Sequence, residues 1–283
     1  MSMKAVVIAA LAALAGPAAV SAATPVAPTV TAQAADWRAL DPENTLVIDT
    51  TKGRIVLELS PQAAPRHVER LKQLAREGFY DGIIWHRVIN DFMAQTGDPE
   101  GTGQGGSSYP DLQAEFTFRR GADVAYASIE SAKGQSVGFA GLLPVQTQAD
   151  DMMLFTADQR VPANGLFCSG VAGMARTGDP NTANSQFFLM RGENHVLDKN
   201  YTAFGRVASG LDVVRKLATG EPPASPDKML KVRVMADMPA AEQPKIKVLD
   251  VRSKAFTALV DKVRKEKGAA FSVCDVDVPT QGA

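Results

Sequence analysis

Between two helix-forming stretches the chain is cut into many short β-rich pieces, and this limits its fold more than any other feature. Glycine, asparagine and proline separate the pieces every few residues. No helical pattern intervenes to make crossovers, so the arrangement favours a closed antiparallel barrel over a βαβ sheet. The first helix is predicted over Ala64 to Glu77. Pro65 suits its first turn, Val68, Leu71, Leu74 and Ala75 make one apolar stripe, and Gly78 ends it. The second helix is shorter, Leu211 to Ala218. Upstream, Thr45 to Asp49 and Arg54 to Leu59 read as strands of a hairpin joined by Thr50-Thr51-Lys52-Gly53. Ile55, Leu57 and Leu59 share one face of the second strand; Arg54, Val56 and Glu58 share the other. Downstream, Met229 to Met235 alternates as a strand and Ile246 to Val251 is a further candidate. Ser253 suits the N-cap of a helix over Lys254 to Lys267, with Phe256, Leu259, Val260 and Val263 on its apolar face.

The 283 residues can bury a core, as one large domain or two small ones. A net charge of -1 and a charged fraction of 22% leave no footprint for nucleic acid or an anionic membrane. The N-terminus reads as a secretory signal over residues 1–22. Lys4 supplies the positive start, Val6 to Ala15 is apolar but too short to span a bilayer, and Val20-Ser21-Ala22 fits a cleavage site. The competing reading is a retained anchor, which Gly16 and Pro17 oppose by cutting the run short. Residues 23–40 read as a flexible leader rich in Ala, Thr, Pro and Val, with order setting in near Trp37. A periplasmic location is expected. In that compartment the two cysteines, Cys168 and Cys274, are a disulfide candidate; two separate thiols are the alternative.

Several apparent motifs carry no chemistry. Gly101-Thr102-Gly103-Gln104-Gly105-Gly106 matches G-x-G-x-x-G, but Asp98-Pro99 precedes it and Ser107-Ser108-Tyr109-Pro110 follows, where a dinucleotide site needs a strand and a helix. It reads as a tight loop that lets a ligand or backbone come close. The three histidines, His67, His86 and His195, have no ligand spacing, so no metal is expected. His67 is expected at the surface of the first helix, and His86 to pack or bond to backbone. No Gly-x-Ser-x-Gly elbow exists, and the carboxylates form no convincing acid–base pair. Arg87 is different. It lies in a strand-like run, Ile83 to Ile89, whose alternation puts Trp85, Arg87 and Ile89 on one face. An arginine there either uses its fork on a ligand or pairs with a nearby carboxylate. Phe92, Met93 and Gln95 follow closely. Of Phe187 and Phe188 at least one belongs to the core, because strand neighbours point opposite ways.

At these residues the chain resembles the cyclophilin family of peptidyl-prolyl cis-trans isomerases. One motif is Trp85-His86-Arg87 with Phe92-Met93-Ala94-Gln95 and Gly97-Asp98. A second runs from Met174-Ala175 to Ser185-Gln186-Phe187-Phe188. A third is Leu197-Asp198 with Phe204-Gly205. Thr51-Lys52-Gly53-Arg54-Ile55 and Phe79-Tyr80-Asp81-Gly82 also match, and the likeness covers about Leu46 to Leu217 with one gap. The resemblance implies a mainly β fold: a closed eight-stranded antiparallel barrel capped by two helices. It implies that Arg87 is the catalytic arginine, that Phe92, Met93 and Phe188 wall a proline pocket with Leu197 beside it, and that Gln95 bonds the substrate backbone. Ala175, Arg176 and Gln186 would line the adjoining groove, and Gly103 would flank the neighbouring pocket. Two positions depart from the family's eukaryotic pattern. Val196 stands where a cyclosporin-contacting Trp is usual, as in exported bacterial members, and Tyr201 stands for a His near the pocket. The departure bears on cyclosporin, not on catalysis.

The resemblance implies an isomerase domain over residues 41–240, needing no cofactor and no metal. A minimal member passes quickly from Glu115-Phe116 to the second motif. Here residues 117–169 intervene, with Gly134, Gly138, Gly141 and the apolar Met152-Met153-Leu154-Phe155, and are expected to form a folded excursion beside the groove. Residues 241–283 form a C-terminal extension expected to pack on the barrel, and a Cys168–Cys274 bridge would tie the two additions together. The expected partners are proline-containing polypeptides, with no nucleic acid, no stable membrane insertion after cleavage, and a monomeric state. The expected activity is X-Pro isomerisation in exported, unfolded chains. The alternative is a client-binding module on the same fold, in which turnover is incidental.

Overall fold

The structure, a computed structural model, describes residues 31–282. The signal segment and the first residues of the leader lie outside the described residues. Eight strands form one antiparallel sheet in the order Met229–Val234, Thr45–Thr50, Gly53–Leu59, Ala203–Ser209, Val171–Met174, Phe187–Met190, Met93–Thr96 and Arg87–Ile89. The strand number agrees with expectation; closure does not. The sheet curls but stays open between its first and last strands. That seam is filled by residues 218–228, whose backbone pairs with the far edge through single bridges and no ladder, Ile84 with Lys228 and Val88 with Gly220. The physical reason is in the sequence of the filler. Pro222, Pro223 and Pro226 have no N–H to donate, so no ladder can run along it.

Inside the curl lies the main core. Leu46, Ile48, Ile55, Leu57 and Leu59 meet Val68, Leu71, Leu74 and Ala75 of helix α1 (Pro65–Arg76). Helix α2 (Leu211–Lys216) adds Val213 and Val214. Helix α1 has no capping side chain of its own at Ala64. Instead the Glu115 carboxylate accepts from the backbone N–H groups of Arg66 and His67, and a ring nitrogen of His67 lies 2.6 Å away. Burial pushes the Glu115 carboxyl up, but these donors outweigh it and hold it below the usual range. A negative charge there also suits the positive end of the helix dipole. His67 is therefore fully buried, not at the surface. It sits one turn before Leu71 and so shares the stripe that faces the core.

The second correction concerns the run from Ile83 to Ile89. Only Arg87–Ile89 is strand, so alternation does not hold across the whole stretch. Trp85 and Val88 enter the main core, whereas Ile89 packs on the opposite side of the sheet. Trp85 and Arg87 thus do not share a face.

Residues 118–165 form a second sheet of five strands, ordered Phe118–Arg120, Val161–Gly165, Leu143–Gln148, Gln135–Ala140 and Tyr126–Ala132. Its apolar residues Phe139, Leu143 and Val145 join Phe188, Met190 and Val171 from the outer face of the large sheet. Helix α3 (Lys254–Lys267) completes this core with Phe256, Leu259, Val260 and Val263, and the Phe256 ring meets Phe139 edge-on at 5.5 Å. Ser253 caps α3 by accepting from the Phe256 N–H. Met152, Met153, Leu154 and Phe155 do not enter any core: Leu154 and Phe155 are each 81% exposed at the end of a two-turn 3-10 helix, Asp150–Phe155.

Part of the leader is ordered. Trp37–Ala39 pairs with Lys247–Leu249, which in turn pairs with Thr280–Gln281. Arg38 reaches back to Glu58 in a two-pronged ion pair, and Leu40 packs with Val56 and Val248. The pairing partner comes from the far end of the chain, which is why the leader's composition hides it. Cys168 and Cys274 are joined in a disulfide between residues 106 apart in sequence. Among the described residues no helix is long and apolar enough to cross a membrane.

Candidate active site

Strand register brings three of the expected residues into one row. Arg87 faces Gln95 across one strand pair, Gln95 faces Phe188 across the next, and Phe188 faces Gly173 across the third. Residues paired in this way share a face of the sheet. An arginine, an amide and an aromatic ring therefore stand in one row, and the row ends on a residue with no side chain. Its neighbour Phe187 points the other way, into the core, where its ring meets Tyr80, Trp85 and Phe204 edge-on.

The row forms the floor of a cavity of about 140 Å³. Arg87, Phe92, Met93, Gln95, Ala175, Arg176, Phe188, Leu197 and Tyr201 line it. Phe92 comes from the turn after the Arg87 strand, where Asp91 adopts φ +53°. Leu197 comes from the one-turn helix His195–Leu197, and Val196 beside it is exposed. Tyr201 meets Phe188 edge-on at 5.8 Å, and the Arg176 guanidinium lies 4.5 Å over the Tyr201 ring. Arg176 also donates to the carbonyls of Thr177 and Asn200. Such a pocket offers a small ring an apolar seat with two arginines, Arg87 and Arg176, at its edge.

Gly103 and Gln186 lie in a second cavity, of about 610 Å³, which shares Gln95, Ala175 and Arg176 with the first. A relay of amides connects the two. Gln95 Nε2 donates to Gln186 Oε1 at 2.9 Å, and Gln186 Nε2 donates to the Gly105 carbonyl at 2.8 Å. The glycine loop that bounds this cavity is wound around Asp98. Its carboxylate accepts from the N–H groups of Glu100, Thr102 and Gly103 and from the Thr102 hydroxyl. Burial raises the Asp98 carboxyl, but these donors prevail and hold it below the usual range. A Cβ on Gly105 would lie 2.1 Å from Asp98 Oδ1, so the glycine there serves the loop's own packing. His86 is buried beneath Gly103 with neither ring nitrogen bonded. Burial pushes its imidazole below the ordinary value, which keeps it neutral beside Arg87.

Three residues escape the sequence reading. Phe167 stacks on Phe188 at 5.7 Å and backs the pocket wall. Gly173 makes room for both rings: a Cβ there would lie 2.5 Å from Phe188 Cζ and 2.6 Å from Phe167 Cε1. Glu221, from the proline-rich seam, accepts from Arg87 Nε at 2.5 Å. Gly173 stands inside the second motif's strand, and its lack of a side chain is a signal of close approach that could have been read. Replacing it tests the wall. Gly173→Ala is expected to push Phe188 into the cavity and raise KM for proline peptides about tenfold or more, at an overpacking cost of about 1–3 kcal/mol. A folded variant with unchanged KM would show that Phe188 does not set the seat.

A curled eight-stranded sheet bearing an arginine on the rim of an apolar pocket defines a protein that handles a small ring within an extended chain. Residues 45–234 match the family model described as cyclophilin type peptidyl-prolyl cis-trans isomerase/CLD. A probable peptidyl-prolyl cis-trans isomerase of Brucella suis is 36% identical over 215 residues, covering 70% of this chain and 86% of that one. A peptidyl-prolyl cis-trans isomerase of Schizosaccharomyces pombe is 32% identical over 190 residues, covering 65% of this chain and 94% of that one. The crystal structure of the cyclophilin AquaCyp293 from Hirschia baltica superposes with a TM-score of 0.79 at 36% identity, over 87% of this chain and 92% of that one. The chain belongs to the cyclophilin family and is a cyclophilin-type peptidyl-prolyl cis-trans isomerase.

Proposed function

We propose that this isomerase acts in the periplasm on exported, unfolded or partly folded polypeptides, with Arg87 as its catalytic residue. The row Arg87–Gln95–Phe188 beside a ring-sized cavity carries the chemical part of this reading. Rotating an X-Pro bond breaks amide resonance and costs about 18–20 kcal/mol. In the twisted state the prolyl nitrogen regains its lone pair. A guanidinium N–H donated to that nitrogen is an interaction available in the transition state and not in the planar ground states, which is the condition for acceleration. Phe92, Met93, Phe188 and Leu197 hold the ring while the preceding carbonyl turns. Gln95 bonds the substrate backbone, and Ala175, Arg176, Gln186 and Gly103 guide the adjoining chain, with Tyr201 closing the rim. None of these steps calls on a cofactor.

The export reading rests on the N-terminal sequence, Lys4 with the apolar run Val6 to Ala15 and the Val20-Ser21-Ala22 site. It is supported by a disulfide, which belongs to oxidising compartments. Fractionation of cells making the full chain tests it. The expected product starts at Ala23 in the periplasmic fraction; uncleaved protein confined to the cytoplasm would overturn it. The chemical part is tested by exchange of a proline peptide on wild type and Arg87→Ala, where equal rates would remove Arg87 from the mechanism.

One observation favours a second reading, that of a client-binding module. Leu154 and Phe155 stand exposed at the tip of the five-stranded sheet, where a client's apolar segment could rest. On that reading, suppression of client aggregation survives Arg87→Ala and is lost when residues 117–169 are trimmed.

A further inference from the structure

An arginine catalyses bond rotation only if its donors point at the reacting nitrogen, and one carboxylate governs how Arg87 points. Glu221 Oε2 lies 2.5 Å from Arg87 Nε. Nε is the inner nitrogen of the fork. A bond there fixes the plane of the guanidinium and leaves both terminal amino groups unengaged. Among the described residues, Glu221 is the hydrogen-bond partner that Arg87 has. Both side chains are partly exposed, at 39% and 52%, so the pair adds little to stability. Its geometry is nevertheless closely held.

The hold comes from the backbone on either side of Glu221. Gly220 and Val88 exchange N–H···O bonds of 2.9 Å in both directions, so Glu221 follows a residue locked to the neighbour of Arg87. A Cβ at Gly220 would lie 2.5 Å from Pro223 Cα, and only glycine allows so tight a turn at φ +149°. The far end of the segment is tied by Asp227. Its carboxylate accepts from the Ala218 N–H at 2.8 Å and the Thr51 hydroxyl at 2.6 Å, and its carbonyl accepts from the Trp85 N–H. The segment that fills the open seam is thus a brace fixed at three places, with one charged side chain directed at Arg87.

We infer that Glu221 is a positioning residue for isomerisation: it holds the Arg87 guanidinium in the plane that presents its terminal amino groups to the proline pocket. This deepens the proposed function and rests on Arg87 being catalytic. A free arginine side chain samples many rotamers, and restricting it before substrate arrives removes an ordering cost from the transition state. The ion pair contributes nothing to the seat for the ring, so its loss changes turnover and not affinity.

The test uses the full chain with Glu221→Ala and Glu221→Gln, in a proline-peptide exchange assay that separates kcat from KM. Glu221→Ala is expected to lower kcat about tenfold with KM unchanged. Glu221→Gln should fall between it and wild type, because its amide oxygen still accepts from Nε. Nitrogen-15 NMR of the Arg87 Nε–H gives an independent readout. A slowly exchanging, observable Nε–H resonance in wild type should exchange faster with water and broaden in Glu221→Ala. Unchanged kcat in both Glu221 variants, with Arg87→Ala inactive, would overturn the positioning role and leave Arg87 catalytic. A rise in kcat/KM would also overturn it, marking Glu221 as a competitor for the guanidinium. Wild-type rates in Arg87→Ala would instead overturn the reading on which the inference stands.

Discussion

Arg87→Ala is expected to lower kcat/KM for proline-peptide exchange by about 10²–10³, the usual effect of deleting one preorganised donor to a developing charge or lone pair. Most of the loss should fall on kcat. The cavity walls of Phe92, Met93, Phe188 and Leu197 do not depend on Arg87, so the ring still finds its seat. An interaction made only in the transition state leaves KM alone when it is removed. Thermal stability should change little, since the Arg87 side chain is 39% exposed and its pair with Glu221 lies near the surface. Arg87→Lys keeps a charge but loses the planar fork and the Nε that Glu221 grips, so most of the activity should still be lost. Stopped exchange measurements with matched unfolding curves check each of these. A large KM increase with unchanged kcat would show that Arg87 binds substrate and does not assist rotation.

Breaking the Cys168–Cys274 disulfide should have the largest effect on stability. Its ends lie 106 residues apart. A cross-link closing a loop of that size restricts the unfolded chain by about 4–5 kcal/mol in the chain-entropy account, and native bridges removed from small exported domains cost about 2–5 kcal/mol. For a chain of this size the midpoint of thermal unfolding should fall by roughly 10 °C in the Cys168→Ser, Cys274→Ser double variant or under reductant. The effect should extend to the pocket. Phe167, which precedes Cys168, stacks on Phe188, and Cys274 sits 3.9 Å from His195, at the start of the turn that carries Leu197. Reduction is therefore expected to raise KM as well. A thiol count of two in oxidised, unfolded protein, or unchanged melting on reduction, would refute the bridge as a staple.

How much of this was legible depended on how local each signal was. Helix α3 could be read to the residue, because Ser253 caps it and Phe256, Leu259, Val260 and Val263 recur at helical spacing. The inward face of Gly53–Leu59 was equally plain from alternation. Barrel closure is not legible in a count of strands, which says nothing about whether the first and last can pair. That was decided by Pro222, Pro223 and Pro226 in a segment with no regular pattern. The burial of His67 has no local signal, because its partner, Glu115, lies 48 residues away and nothing nearby marks a buried imidazole. Trp85 takes a different face from Arg87 because the strand begins only at Arg87. In the pocket, the residues lying within or beside ordered motifs could be named in advance, and strands, loops and a one-turn helix bring nine of them around one cavity. Glu221 could not be named, since it lies 134 residues from Arg87 in a loop with no motif. Burial of Phe139 and exposure of Phe155 were likewise beyond reach, since both are aromatic residues with apolar neighbours in sequence.

The open seam gives this enzyme an uneven mechanical character. A closed ladder shares strain around the whole sheet, so no strand can loosen alone. Here the Arg87 strand is three residues long, with a full ladder on one side and a braced loop on the other. Its outer edge is held by that loop and not by a neighbouring strand. The pocket wall at Phe188 lies two strands inward, backed by Phe167 and the second core. The two halves of the site thus differ in what holds them. The wall at Phe188 is kept by packing, whereas the arginine keeps its place through the brace, so a cut or insertion within residues 218–228 should unseat the charge and leave that wall standing.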